Sequence, residues 1–512
     1  MDKISRRDFL KASSVFLGAT VFSRSKFLSN AQTDHKPNII ILVFDSMSAA
    51  HLSIYGYPRS TTPNFERFAK RATVYHSNYS TANFTSPGTA TLLTGLYPWR
   101  HRAFNFGGLV TRKLIGNNLF NLLGDNYYSV GFSQNIWANN LISEFGTALD
   151  QKILPSTFSS RRKRFLLSSY IPSDDLSSYY AFDEYLVRTH PELNPIPGSI
   201  SFGFLDTFVA YMQQKKETPT EDFPYGMPNN IYDFYYNNKT VFKEIGQTVE
   251  KLNLTSPFVG YFHFFSPHSP YSPHKDFVGI FKDMPLVKKP FHKLSYMKYP
   301  QRTLKIQRDL YDEYIANVDA EFGNLLDFLD TTGVLDNSYL ILASDHGEVF
   351  ERGEVGHGTA LLYEPVIHTP LIISAPGQNQ RVDIYSPTCN TDVIPTLLQN
   401  TGIEIPNNLD GRILPGLGGT DDSERSVISI EAKENSAFLP LEKATIALNK
   451  KNYKLIYYLG YEKYDQQFEL FNLHDDPDEL TNLFDTDTIM ASQMRDELLA
   501  ALDNANLPFR KP

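Results

Sequence analysis

Four side chains of this 512-residue sequence could together hold a divalent cation and set an oxygen nucleophile beside it: Asp45, Thr85, Asp345 and His346. Two carboxylates and an imidazole are donors that tolerate Zn, Mn or Ca. A cation next to a hydroxyl lowers its pKa, so that Thr85 could attack an ester as an alkoxide. One ion suffices for this chemistry, and a second is compatible with it. His268 and His357 lie in Pro- and Gly-bounded loops and add two imidazoles, which could hold the oxygens of a transferred group or protonate a leaving oxygen. Each residue also has an ordinary reading, since Thr85 before Ser86-Pro87-Gly88 could be a plain helix N-cap and Asp45 could cap the helix that follows it. Only in combination do they describe a reaction, and Ser86 is the next hydroxyl if the register is displaced by one.

Such groups must be carried to one place, and the flanking patterns are those of buried parallel strands. Ile39 to Phe44 is a continuous apolar run ending at Asp45, and Ser338 to Ala343 is another, delivering Ser344-Asp345-His346-Gly347-Glu348. Ligands of α/β sheets sit at such carboxyl ends. Pro257 to Phe264 reads as a third strand, leading to Ser266-Pro267-His268, and Tyr127 to Ser133 and Pro370 to Ser374 as two more. Ala72 to Tyr79 reads as a short strand feeding a hydroxyl-rich turn and small-residue helix, Asn83 to Gly95. Helices are expected from Asn117, as N-cap, to Leu123, from Lys305 to Leu329 and from Asp392 to about Gly402. Residues 139–253, rich in Tyr, Phe, Ser and Pro, read as an insertion or lid of helices and long loops that would shape the substrate pocket. Its Arg161-Arg162-Lys163-Arg164 patch reads as a solvated face. Gly- and acid-rich Leu414 to Arg425 reads as a linker to antiparallel strands in Ala444–Leu459 and Glu469–Leu473 and a closing helix from Thr488 to Leu502.

The net charge of −9 is spread along the chain, which disfavours a nucleic-acid partner, and Cys389 is the one cysteine, which excludes an intrachain disulfide and a multi-cysteine metal site. Ser5-Arg6-Arg7-Asp8-Phe9-Leu10-Lys11, an apolar run from Ala12 to Phe22 and small residues near Ala31 resemble a twin-arginine export signal. That resemblance implies a twin-arginine translocase as partner and a location in the periplasm or at the cell surface. The organisation expected is a signal segment over 1–35, a catalytic domain over 36–420 and a C-terminal subdomain over 421–512.

The set of motifs after Lys36 resembles the sulfatase branch of the alkaline phosphatase superfamily. The resemblance is carried by the opening strand into Asp45, Thr94-Gly95-Leu96-Tyr97-Pro98, Pro267-His268-Ser269-Pro270-Tyr271, Ser344-Asp345-His346-Gly347-Glu348, Leu362-Tyr363-Glu364-Pro365, Asp392 to Leu398 and Glu469-Leu470-Phe471-Asn472-Leu473. It implies a large mixed, mostly parallel α/β sheet sandwiched by helices, with a smaller C-terminal α+β subdomain. It also implies metal ligation by Asp45, Thr85, Asp345 and His346, and substrate binding by His268, His357 and Ser46. Departures are equally specific. Thr85 stands where sulfatases carry the residue matured to formylglycine, Thr89 where they carry an arginine, Ser46 where they carry a second aspartate, and Gly131-Phe132-Ser133-Gln134 lacks a lysine. The Asp345-His346 pair is similar to that of phosphonate monoester hydrolases, and a threonine nucleophile to that of lipid-directed phosphoryl transferases. A sulfated threonine would be a stable alkyl sulfate, whereas a phosphorylated one can be attacked at phosphorus. The expectation is therefore an exported, metal-dependent hydrolase of phosphate or phosphonate esters on a small molecule, glycan or lipid headgroup. A sulfatase without formylglycine, a phosphoryl transferase and an inactive anion-binding protein stay open, as does the oligomeric state.

Overall fold

The computed structural model describes residues 36–162, 220–230, 234–254, 257–281, 284–461, 464 and 467–510. The twin-arginine segment, the middle of the expected insertion, and Lys163 and Arg164 of the basic patch lie outside the described residues. Pro37–Pro512 forms one unit.

In chain order the strands are β1 (Asn38–Phe44), β2 (Thr73–Tyr75), β3 (Asn78–Tyr79), β4 (Tyr128–Ser133), β5 (Gln151–Ile153), β6 (Arg161–Arg162), β7 (Phe234–Tyr235), β8 (Phe258–Phe264), β9 (Ser338–Ala343), β10 (Leu371–Ser374), β11 (Val382–Ile384), β12 (Thr388–Cys389), β13 (Ser426–Glu431), β14 (Ala444–Lys450), β15 (Tyr453–Leu459) and β16 (Phe468–Asn472). Eight of them make the main sheet in the order β11-β2-β10-β9-β1-β8-β4-β5. From β9 to β5 every pairing is parallel, while β10 runs antiparallel to both β9 and β2. Helices cover both faces, which is why the central strands read as unbroken apolar runs. Ile40, Leu42 and Phe44 pack toward α1 (Pro63–Ala69), α4 (Asn238–Asn253) and α5 (Gln301–Thr331). Ile39, Ile41 and Val43 pack toward α2 (Thr85–Thr94), α3 (Ile136–Glu144) and α6 (Val393–Asn400).

A second, antiparallel sheet runs β13-β14-β15-β16. Alternation splits its side chains cleanly: Ile428, Ile446, Leu455 and Leu470 lie under α7 (Thr488–Asn506), and Val427, Ala447, Ile456 and Phe471 pack on Leu361, Val366 and Ile367 of the body.

Several expectations need correction. The Ala72–Tyr79 strand is broken into β2 and β3, which join different sheets. The short helix is Leu119–Leu123, capped by Asn118, whose carboxamide oxygen accepts from the Phe120 and Asn121 amides, while Asn117 donates to the Thr94 carbonyl. The insertion is narrower at its ends than 139–253: β5 extends the main sheet, and α4 packs its apolar stripe (Val241, Phe242, Ile245, Val249) into the core. The Leu414–Arg425 stretch is no loose tether, since Leu414 and Leu417 join the core and Arg425 forms a two-pronged ion pair with Asp392. β13, absent from the sequence reading, follows it directly.

Candidate active site

Residue phase places the site. Asp45 continues the Ile39-Ile41-Val43 face of β1 and Asp345 the Tyr339-Ile341-Ala343 face of β9, two residues past the last member in each case. β8 is in register with β1 so that His263 pairs with Val43, and it continues the Val259-Tyr261 series onto that same face. Three neighbouring parallel strands thus deliver two carboxylates and an imidazole together at their carboxyl ends, fully buried. Helix α2 lies over this face and brings Thr85 with its first turn. Gly88 permits the approach: a β-carbon there would lie 2.4 Å from the Asp345 carbonyl oxygen.

The structure brings together every residue expected from the sequence. Thr85 Oγ1 is 3.4 Å from His346 Nε2, which in turn is 3.4 Å from Asp45 Oδ1 and 3.6 Å from Asp345 Oδ2. The Nδ1–H of His346 donates to the Gly347 carbonyl at 3.0 Å, so Nε2 keeps its lone pair toward the carboxylates. Ser46, at φ 63°, donates its backbone N–H to Asp345 Oδ1 and its hydroxyl to Asp45 Oδ1, the latter at 3.1 Å, and lies 3.4 Å from His357 Nδ1. His357 Nδ1 is 3.2 Å from Glu348 Oε2, and the His357 ring is 4.2 Å from His346 and 4.9 Å from His268 by centroids. His268 donates Nδ1–H to the Ser269 carbonyl at 2.6 Å, which leaves its Nε2 free of that bond. Ser86 accepts from the Gly107 amide and belongs to the helix packing.

Two participants were missed. Asn135, the N-cap of α3, donates its carboxamide to Asp45 Oδ2 at 2.6 Å and to Thr85 Oγ1 at 3.2 Å. It directly follows the segment lacking the family lysine, but an Asn at a helix start looks like a cap, and it is one. His263 is the other. Its signal was a lone imidazole at an inward position of a strand with no other polar inward side chain except Tyr261, which the run of aromatics concealed.

Burial disfavours charge on Asp45, but the imidazoles of His268, His263 and His346 outweigh it and hold the carboxyl well below its usual range. Asp345 is pushed well above that range by burial and by the charge of Asp45. The two carboxyls thus oppose one another's ionisation, an opposition that a cation between them would relieve. Burial pushes the His346 imidazole well below its usual value and the His268 imidazole below it, against the pull of the Asp45 carboxylate. His357 goes the other way: burial opposes its protonation, yet the Glu348 carboxylate raises it above the ordinary histidine value.

The donor set fits a divalent ion. Donor atoms of Asp45, His263 and Asp345 lie within 4.8 Å of one another, and Asp345 Oδ2 and His263 Nε2 are buried without a hydrogen-bond partner. Asp45, Thr85, Asp345, His346 and His263 are the groups that could hold it.

Fold and site together define an alkaline phosphatase-like hydrolase. The phosphonate monoester hydrolase of Agrobacterium radiobacter superposes with a TM-score of 0.65 at 18% identity, covering 92% of this chain and 96% of its own. The sulfatase family model matches residues 37–403, and the model described as N-sulphoglucosamine sulphohydrolase, C-terminal, matches residues 353–505. The chain belongs to the sulfatase family. It is 23% identical over 478 residues to the choline-sulfatase of Rhizobium meliloti, spanning 88% of this chain and 83% of that one. It is 24% identical over 520 residues to the multifunctional alkaline phosphatase superfamily protein PehA of Trinickia caryophylli, spanning 91% and 95%. It is accordingly a hydrolase of sulfate or phosphate ester bonds.

Proposed function

We propose that the chain is a metal-dependent hydrolase of phosphate or phosphonate esters in which Thr85 is the nucleophile. The observation that carries this reading is the position of Thr85 Oγ1, in contact with both His346 Nε2 and the Asn135 amide above the Asp45–Asp345 pair. A bound divalent ion would lower the hydroxyl pKa and offset the charge of the ester. The Asn135 amide, donating to Oγ1, orients the hydroxyl and favours its deprotonated form, and it clamps Asp45 at the same time. His357, beside Ser46 Oγ and the His346 ring, and His268, beside the His357 ring, supply imidazole nitrogens to the oxygens of the transferred group. His357, held protonated by Glu348, is the group suited to give a proton to the departing oxygen. The deprotonated Thr85 Oγ1 bonds phosphorus as the P–O bond to the leaving group breaks and that oxygen takes the His357 proton; water then attacks phosphorus, giving a proton back to His357 as the Thr85 Oγ1–P bond breaks. A threonine cannot form the aldehyde hydrate that expels sulfate, which favours phosphorus over sulfur.

The test compares wild type with Thr85→Ala and Thr85→Ser on aryl phosphate monoesters, diesters, phosphonates and sulfates, with mass spectrometry of quenched enzyme for a phosphate adduct. Turnover of phosphorus esters lost in Thr85→Ala, with the adduct on the Thr85 peptide, is the expected result. Sulfate turnover as the sole activity would overturn it. The natural substrate class we propose is a small anionic ester, including esters on glycans or lipid headgroups. We also propose export in the folded state through the twin-arginine route. Retention of an Arg6→Lys, Arg7→Lys variant in the cytoplasm is expected, and unchanged export would refute it. Among the described residues no helix is long and apolar enough to cross a membrane.

A further inference from the structure

We propose that His263 is a direct metal ligand, supplying the donor that Ser46 does not, and that the site therefore selects a nitrogen-accepting ion of the zinc and manganese class over calcium. This rests on the metal-dependent reading above and concerns how this chain holds the ion.

His263 is completely buried at the carboxyl end of β8. Its Nε2 lies 3.6 Å from Asp45 Oδ2 and 3.6 Å from Asp345 Oδ2, too far for a hydrogen bond to either, and it has no other partner. The facing Asp345 Oδ2 is equally unpartnered. A protonated imidazole between two carboxylates would close to roughly 2.7–2.9 Å on one of them. Instead the separations suit donors that share an ion, since ligand atoms each bound at about 2.0–2.1 Å to one ion lie roughly 3–4 Å apart. The far nitrogen, Nδ1, is 3.3 Å from the Tyr261 hydroxyl, which fixes the ring and leaves Nε2 as the donor.

Ser46 follows Asp45 directly and brings no charge to the site. Its hydroxyl already bonds Asp45 and its backbone N–H bonds Asp345, so it braces the carboxylates rather than adding a charge. The tightest set is Asp45, His263 and Asp345, within 4.8 Å of one another, with His346 Nε2 3.4 Å from Asp45 Oδ1 and the Thr85 oxygen beside it. His263 approaches Asp45 Oδ2 and His346 approaches Asp45 Oδ1, so the two imidazoles address different oxygens of one carboxylate. Two nitrogens and only two carboxylates suit zinc or manganese, whereas calcium requires six to eight oxygens.

The test measures ion binding without turnover. Metal-free protein is titrated calorimetrically with Zn²⁺, Mn²⁺ and Ca²⁺, and pulsed electron paramagnetic resonance counts the histidine nitrogens coupled to bound Mn²⁺. Wild type is expected to bind Zn²⁺ at least about 100-fold tighter than Ca²⁺ and to show two coupled imidazoles. His263→Gln is expected to weaken Zn²⁺ binding by roughly 10- to 100-fold or more and to lose one coupled imidazole. One coupled imidazole in wild type, or equal affinity for Ca²⁺ and Zn²⁺, overturns the proposal even if the variant fails to fold. Absence of any bound ion would fail the metal-dependent reading itself, a distinguishable result.

Discussion

Replacing Gly88 by alanine should separate catalytic geometry from stability. Gly88 sits in the first turn of α2, three residues after Thr85 and so on its side of the helix. A β-carbon there would lie 2.4 Å from the Asp345 carbonyl oxygen, 3.0 Å from the carbonyl carbon and 3.2 Å from Asp345 Cβ. Non-bonded carbon contacts prefer about 3.5–4.0 Å, so the helix end or the Asp345 backbone must retreat by roughly 1 Å. In an open helix the change would stabilise by about 1 kcal/mol. Overpacking of this kind costs about 1–3 kcal/mol. The net loss of about 0–2 kcal/mol would lower the melting temperature of a chain this large by only about a degree or two. A 1 Å misplacement of a reacting group, however, costs about 100-fold in rate. We therefore expect kcat/KM on an aryl phosphate or phosphonate ester to fall about 100-fold while calorimetric melting barely moves. Gly116→Ala, where a β-carbon would meet nothing within 4 Å, is the control and should match wild type. Wild-type kcat/KM in Gly88→Ala would refute the claim that the close seating of α2 on Asp345 positions Thr85.

Asn135→Ala removes the donor shared by Asp45 and Thr85 and should lower kcat by about 10²–10³ with KM little changed. A kinetic comparison showing only a KM effect would make Asn135 a substrate-binding group instead. Glu348→Gln removes the carboxylate that most raises the His357 pKa, leaving only the Asp45 charge against burial. Because the acid works only below its pKa, the falling alkaline limb of the pH profile should move to lower pH, and an unmoved limb would take His357 out of the acid role. Lys454 is buried between Glu364 at 2.9 Å and Glu479 at 2.5 Å, where the C-terminal sheet meets the body. Lys454→Met removes the cation the two buried carboxylates share and should cost about 3–5 kcal/mol in urea unfolding. A cost below about 1 kcal/mol would show that water reaches them.

The chemistry-bearing residues of the site were largely legible in the chain, because each follows a local pattern with one physical solution. Ile39–Phe44 and Ser338–Ala343 are too apolar to sit anywhere but inside a covered parallel sheet, so Asp45 and Asp345 had to emerge at its carboxyl end. Thr85 opens a helix of small residues, and the loops of His268 and His357 are marked by Pro and Gly. Where local patterns conflict with tertiary needs, the sequence was silent or misleading. The break between β2 and β3 arises because two sheets claim successive pieces of one extended run. The α4 stripe was overlooked inside a segment of weak signal, although only its packing against α5 places it in the core. His263 could not be distinguished from an ordinary buried histidine until the β1–β8 register set it beside two carboxylates. Asn135, a helix cap by sequence, acquires its second role only because α3 starts where Thr85 and Asp45 meet. Strand phase and apolar runs are encoded residue by residue, so the sequence alone determined which side chains face the site. Register between distant strands and the seating of α2 on Gly88 depend on contacts between residues hundreds of positions apart, and only the tertiary structure decided which of those side chains meet.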